Sequence, residues 1–546
     1  MIQSRDEEIV GLTLLRAKPG RIRYSQLPSF SPRHVDNAFP LRTSVVEQSH
    51  RVHALISQVM VSRSRRGNGM VAWVPAVDIG DQQMRPQGGI GMLERIIIFG
   101  ASGDLTARLL MPAIAQVGEA GLLPAKLNIV GSAMEGWSSD DFRQHIAERL
   151  ERHGAGISAD ARADIVSRLS YQPSDVTNAS EVARLIGSAR EPTLVYLALP
   201  SGLIERALEA LSSADLDQDD AIAIEKPFGV DLESARRLNA FLAHKLHRPA
   251  IFRVDHFLSD ELVQRVLSLR FRNRVFEPAF NSREVERVEI NWMESLTLEG
   301  RAGYYDRAGA MKDMIQNHLL EALTLVIMNR PARFDEGSFR GMRVEALRSI
   351  ATPDVETIRS GTVRARYTAG KIGDRSIPSY VEEPGVDPDR NTETYASVEL
   401  QVQSPRWENT RFVLQSGKAL SEDRAEVAVH FRPVSPSLCV GPVHPNVLRV
   451  GLLEPYVRLD TTVNAADFSH ENHSLEMVSA PPKRTPYANL ILEMLHSRRT
   501  MFIRGDEAEE AWRIIDPIAD AWARDLVPMQ EYPAGGKPPS GITPVS

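Results

Sequence analysis

Between residues 93 and 229 short apolar, β-branched runs alternate with helical stretches, and this alternation most constrains the fold. Leu93–Phe99, Leu127–Gly131, Thr193–Pro200 and Ala221–Gly229 read as buried strands. The stretches Thr106–Glu119, Ser138–His153 and Leu203–Ser213 between them read as helices, with Pro112 inside the first. Uniformly apolar strands with helical crossovers imply a parallel, doubly wound sheet, whose ligand lies at the carboxyl ends of its strands. After the first strand comes Gly100-Ala101-Ser102-Gly103-Asp104-Leu105. A glycine turn between strand and helix lets backbone N–H groups approach a pyrophosphate, and the helix N-terminus favours its charge. The spacing is not GxGxxG, so the turn alone is a moderate signal.

The second half follows another rule. In Val285–Met293, Val288, Ile290 and Trp292 alternate with polar residues, as in a half-buried strand. Tyr395–Gln403 and Ala425–Phe431 do the same, and strands without intervening helices predict an antiparallel sheet. Met311–Met328 reads as a long helix, with Met314, Ile315, Leu319, Leu323 and Ile327 at helical spacing. The chain reads as an irregular extension (1–91), a doubly wound α/β half (92–275), a half with an antiparallel sheet (276–525) and a loose Pro/Gly-rich tail (526–546).

With 546 residues the chain is too long for one core. A net charge of −7 gives no reason to expect nucleic-acid binding. Charge is uneven: residues 1–91 hold 12 basic and 7 acidic residues, the remainder 52 and 64. Arg65-Arg66 resembles a twin-arginine signal but lies too deep in the chain, and Asp6, Glu7 and Glu8 argue against a transit peptide. One cysteine, Cys439, excludes a disulfide framework and a CxxC metal site, and points to a reducing cytoplasm. No apolar run is long enough for a membrane helix, and no metal is expected.

Chemistry concentrates in Arg253-Val-Asp255-His256-Phe257-Leu-Ser-Asp260-Glu261 and Asp313-Met-Ile-Gln-Asn317-His318. A histidine titrates near working pH, and a carboxylate on its other ring nitrogen fixes the tautomer, so such a pair suits proton abstraction from a hydroxyl. A buried pair that only stabilises packing is the competing explanation.

Six ordered stretches, GASGDL, YLALP, EKPFG, RVDHFLSDE, GRAGYYDRAGAMKDMIQNHLLEAL and QSGKAL, resemble glucose-6-phosphate dehydrogenases across most of 93–525. The resemblance implies that 92–275 is a Rossmann domain and 276–525 an α+β domain with a large, mainly antiparallel sheet. It also implies oxidation of a sugar C1 hydroxyl to a lactone with hydride transfer to NADP, in a homodimer or homotetramer. It implies that His318 is the base and Asp255 its orienting carboxylate. His256 would hold the substrate phosphate, and Lys226, Glu294, Asp313 and Lys418 the sugar. The glycine turn (100–105), Met134, Glu135, Pro200 and Lys226 would hold the cofactor. Glu294 and Asp313 could instead pair with Arg301 or Lys312.

Several residues depart from the family. Phe257 stands where a tyrosine is usual, and Asp260 and Asp423 stand where basic residues are usual, with Arg424 beside the latter. These substitutions thin the grip on a 6-phosphate. Met134, with Glu135 beside it, occupies the place of the arginine that meets the NADP 2′-phosphate. An acid there suits the free ribose of NAD. Leu109 replaces a frequent lysine, and Arg108 is the nearby substitute. The alternatives are a paralogue oxidising another or unphosphorylated sugar and a non-catalytic homologue; the intact dyad favours an enzyme.

Overall fold

The computed structural model describes residues 60–63, 70–73, 92–187, 191–434, 444–464 and 470–539. Most of the 1–91 extension and Cys439 lie outside the described residues. Within the extension, β1 (Met60–Arg63) and β2 (Met70–Trp73) pair antiparallel, so it is not wholly irregular.

Six strands build the first sheet: β3 (Arg95–Phe99), β4 (Asn128–Ser132), β5 (Leu169–Tyr171), β6 (Thr193–Leu197), β7 (Ala221–Glu225) and β8 (Ala250–Val254). Every pairing is parallel, in the order β5-β4-β3-β6-β7-β8. Strands β3 and β6 are buried along their whole length because helices cover both faces. The order reverses at β3, which opens a crevice at the carboxyl ends of β3 and β6.

The second sheet has nine strands. They are β9 (Val285–Met293), β10 (Thr362–Thr368), β13 (Tyr395–Leu400), β14 (Arg411–Gly417), β15 (Arg424–Phe431), β16 (Val447–Gly451), β17 (Tyr456–Asn464), β18 (His470–Val478) and β19 (Met529–Pro533). A separate hairpin holds β11 (Gly370–Ile372) and β12 (Arg375–Ile377). In the order β18-β17-β16-β15-β9-β14-β13-β10-β19 most pairs are antiparallel, but β9–β14 and β10–β19 are parallel. In β9, Val288 and Ile290 are buried as the alternation predicts, and Trp292 is half-buried.

Three expectations need correcting. The tail is not loose from 526 onward: β19 joins the sheet edge, with Tyr532 buried and its hydroxyl donating to Lys418 O at 2.7 Å. Pro533 is tolerated because an edge strand leaves N–H positions unused. The domains are also not collinear. Helix Pro486–Leu495 packs Ala488, Leu490, Ile491 and Met494 into the core of the first sheet, and helix Glu261–Arg272 packs into the core of the second. Finally, the long helix is not regular. Met311–Leu319 is π-helical and runs into α-helix Leu320–Ile327. Asn317 marks the wide turn: its Nδ2 donates to Lys312 O at 3.1 Å and its Oδ1 accepts from His318 N at 2.6 Å.

That helix is fixed at both ends. Glu393 Oε1 accepts from Met311 N at 3.0 Å. At the other end the buried Arg270 guanidinium donates to Leu325 O at 2.7 Å and Met328 O at 2.9 Å. Behind it, Arg343 on helix Glu336–Arg348 and Glu507 on helix Gly505–Ala523 form a buried pair, with N–O separations of 2.7 and 2.9 Å. Arg343→Leu strands the Glu507 carboxylate, and we expect a loss of about 3–5 kcal/mol, read as a fall in Tm and in the denaturant midpoint.

Candidate active site

The carboxyl edge of the first sheet carries most of the predicted site. The glycine turn follows β3, Met134 and Glu135 follow β4, Pro200 follows β6, Lys226 follows β7 and Asp255 follows β8. In sheet order these positions run Met134, Gly100, Pro200, Lys226, Asp255. At about 4.8 Å per strand they span roughly 19 Å. A dinucleotide laid along this edge would have to be extended.

At the far end His318 Nδ1 lies 3.2 Å from Asp255 Oδ1, both side chains buried. The N–H is not aligned for a well-formed hydrogen bond, so the contact is a close polar approach. Asp255 Oδ1 also accepts from Phe257 N at 3.0 Å. On the other side of the ring, Lys226 Nζ is 2.6 Å from His318 Nε2 and 3.9 Å from Asp255 Oδ2. An ammonium can only donate, so Nε2 is the unprotonated nitrogen and Nδ1 carries the hydrogen facing Asp255; the tautomer follows from these contacts. This is the tautomer a base at Nε2 requires.

Electrostatics keep Asp255 charged and His318 neutral. Burial opposes charge on Asp255, but His318 and Lys226 outweigh it and keep the carboxyl well below the usual range. Burial lowers His318; Asp255 works against that and Lys226 with it, leaving the imidazole below its ordinary value. It is therefore neutral, as a base must be.

The ring of Phe257 packs 4.8 Å from His318 and 5.8 Å from Trp292. His256 stacks on Tyr487 at 5.6 Å, and burial, chiefly, pushes it down to about 4. Its ring is thus a neutral hydrogen-bonding group until an anion arrives. Glu294 and Lys418, at the ends of the parallel neighbours β9 and β14, pair at 2.6 Å. Asp313 accepts from the Tyr304 hydroxyl at 3.0 Å. The alternative partners Arg301 and Lys312 are used by neither.

Comparison with known proteins now decides the family. Residues 97–265 match "Glucose-6-phosphate dehydrogenase, NAD binding domain" and 267–545 match "Glucose-6-phosphate dehydrogenase, C-terminal domain". The chain belongs to the glucose-6-phosphate dehydrogenase family. It is 34% identical to the glucose-6-phosphate 1-dehydrogenase of Treponema pallidum, over 81% of this chain and 91% of the relative. The Mycolicibacterium smegmatis enzyme is 33% identical over 80% and 93%. A solved glucose-6-phosphate dehydrogenase in complex with its substrate glucose-6-phosphate superposes with a TM-score of 0.75 at 27% identity, covering 83% of this chain and 97% of that one. The Mycobacterium avium enzyme gives 0.72 at 30%, covering 82% and 94%.

The family's NAD-binding domain implies a nicotinamide dinucleotide, and the loop fits one. Gly100 has φ +82°, and a Cβ there would stand 2.1 Å from Ala198 O, so only glycine allows β3 and β6 to close this far around the crevice. Ala101, Ser102 and Gly103 lead into the helix N-terminus, with Asp104 exposed to solvent and Leu105 half-buried. Met134 and Glu135 are exposed. Among the described residues no helix is long and apolar enough to cross a membrane.

Sequence reading missed the groups brought by distant segments. Tyr487 comes from the late helix, donates to Glu225 Oε1 at 3.2 Å and backs His256. Burial, more than any neighbour, lifts Glu225 to about 7. Its place in EKPFG, beside Lys226, was the available signal.

Proposed function

We propose that this chain oxidises the C1 hydroxyl of glucose 6-phosphate to the lactone with a nicotinamide dinucleotide as hydride acceptor. One observation carries the reading: a buried carboxylate, a neutral imidazole and a lysine meet at the carboxyl edge of the nucleotide-binding sheet. His318 Nε2 takes the hydroxyl proton, Asp255 steadies the imidazolium, and Lys226 passes from Nε2 to the substrate oxygen. When bound, the nicotinamide accepts the hydride from C1. Glu294, Lys418 and Asp313 orient the sugar, and His256 meets the phosphate, whose charge would raise the imidazole from about 4.

The acids at the phosphate end are engaged locally. Asp260 Oδ1 accepts from Leu262 N at 2.8 Å as a helix N-cap. Asp423 Oδ1 accepts from Ser295 N and Oγ at 2.6 and 2.9 Å. These bonds favour a site that keeps its 6-phosphate despite the two acids. For the cofactor, Met134 and Glu135 offer no cation to a 2′-phosphate, and Arg108 is 3.0 Å from Asp104 in an exposed pair. NAD is favoured over NADP on this ground, with NADP the family's usual partner. We also propose a reducing cytoplasm, from the single cysteine, and a homodimer or homotetramer. Exposed Leu475, Met477 and Val478 on β18 support the association, which size-exclusion with light scattering would read.

The functional test is nicotinamide reduction followed by absorbance, with NAD or NADP and with glucose 6-phosphate or glucose. We expect turnover of glucose 6-phosphate, at least 10-fold above glucose in kcat/KM as about 1.4 kcal/mol of phosphate binding requires, and NAD accepted at least as well as NADP. Equal turnover of glucose would overturn the substrate assignment.

A further inference from the structure

A cavity of about 420 Å³ opens behind the dyad, lined by Lys226, Asp255 and Asn317 on one side and by Glu321, Arg343 and Glu507 on the other. Glu321 lies three residues beyond His318, just past the point where the π-helix gives way to α-helix, and lines the same cavity as Asp255. Its Oε2 and Asp255 Oδ2 are both buried with no hydrogen-bond partner. Glu321 is half-buried as a residue, but two carboxylates with buried oxygens in one cavity stay charged only if each is compensated. Asp255 is, by His318, Lys226 and Phe257 N. Glu321 is not: Arg343, the cation across the cavity, gives its guanidinium to Glu507 and to Thr500 O.

We propose that Glu321 is a positioning residue of the dyad: as a neutral carboxylic acid it hydrogen-bonds the outer oxygen of Asp255, directly or through one water, and so sets how strongly Asp255 supports the His318 imidazolium. The surroundings agree. Burial first, then Asp255 and Glu507, push the Glu321 carboxyl upward, against Arg343 and Lys226. The inference rests on His318 being the base, but its readout does not need turnover.

Two substitutions and two measurements test it. Glu321→Gln keeps shape, neutrality and a donor; Glu321→Met keeps length and removes the donor. In free protein, NMR titration of His318 should be unchanged in Glu321→Gln. In Glu321→Met it should move up by roughly half a unit, because Asp255 then keeps its full charge, and the acid limb of kcat/KM should move with it. An infrared band for a protonated carboxyl at neutral pH should be present in the native protein and lost in Glu321→Gln. No such band, or a His318 titration that moves as far in Glu321→Gln as in Glu321→Met, overturns the proposal. So does a Glu321→Met protein that loses Tm without moving the titration. If the native protein fails to oxidise any sugar, the spectroscopic arms still decide the state of Glu321, so the two readings fail separately.

Discussion

Replacing His318 by alanine is expected to lower kcat with glucose 6-phosphate by about 10³-fold and to leave the KM for the cofactor nearly unchanged. A positioned general base contributes roughly 10²–10⁴-fold. Two titratable neighbours are differently placed. Lys226 touches the same nitrogen but is an ammonium, and His256 faces Tyr487. The pH profile adds an independent check. The acid limb of kcat/KM reports the free base, and burial with Lys226 sets it below the ordinary histidine value despite the opposing pull of Asp255. Activity should therefore persist below about pH 6.5. Asp255→Asn removes the charge that raises His318, so its limb should move to still lower pH while the rate falls. Steady-state assays between acid and neutral pH settle both. A His318→Ala enzyme with a tenth of native activity would remove His318 from the role of base.

Gly100→Ala is expected to disable cofactor binding and to destabilise the fold. The added methyl would meet the carbonyl oxygen of Ala198 at 2.1 Å, backbone against backbone, at φ +82°. No side chain can turn aside, so the loop must leave β6 and the hydrogen bond from Ala198 N to Phe99 O, 2.9 Å, goes with it. We expect a loss of about 2–4 kcal/mol and at least a 10-fold rise in cofactor KM. Gly121→Ala is the matched control: φ is +69°, but the added methyl meets nothing within 4 Å. Only the left-handed conformation is penalised there, about 1–2 kcal/mol. Thermal melts of the two variants, with cofactor titrations, separate loop geometry from strain. Equal losses would show that the contact with Ala198 is not what matters.

The parallel sheet and the glycine turn were legible because each is written locally. Strand runs of one polarity and a turn that only glycine can make act over a few residues. Strand β9 was legible with its boundaries for the same reason. The pairing of Asp255 with His318 came from the family resemblance, and nothing local says that a half-buried lysine sits on the imidazole Nε2. That contact depends on where β7, β8 and the 311–327 helix end relative to one another.

What the sequence determined by itself is the menu: two sheets, one glycine turn, and a carboxylate and histidines suited to proton abstraction. Tertiary structure decided the rest. It carried the helix bearing Tyr487 back to the first sheet and gave residues 529–533 an edge to pair with. It turned residues 311–319 into a π-helix and brought Glu321 into the cavity that Asp255 also lines. The physical reason is range. Polarity patterns and turn geometry are set by neighbours in the chain, whereas burial, unpaired charge and tautomer are set by neighbours in space, which no short stretch of sequence specifies.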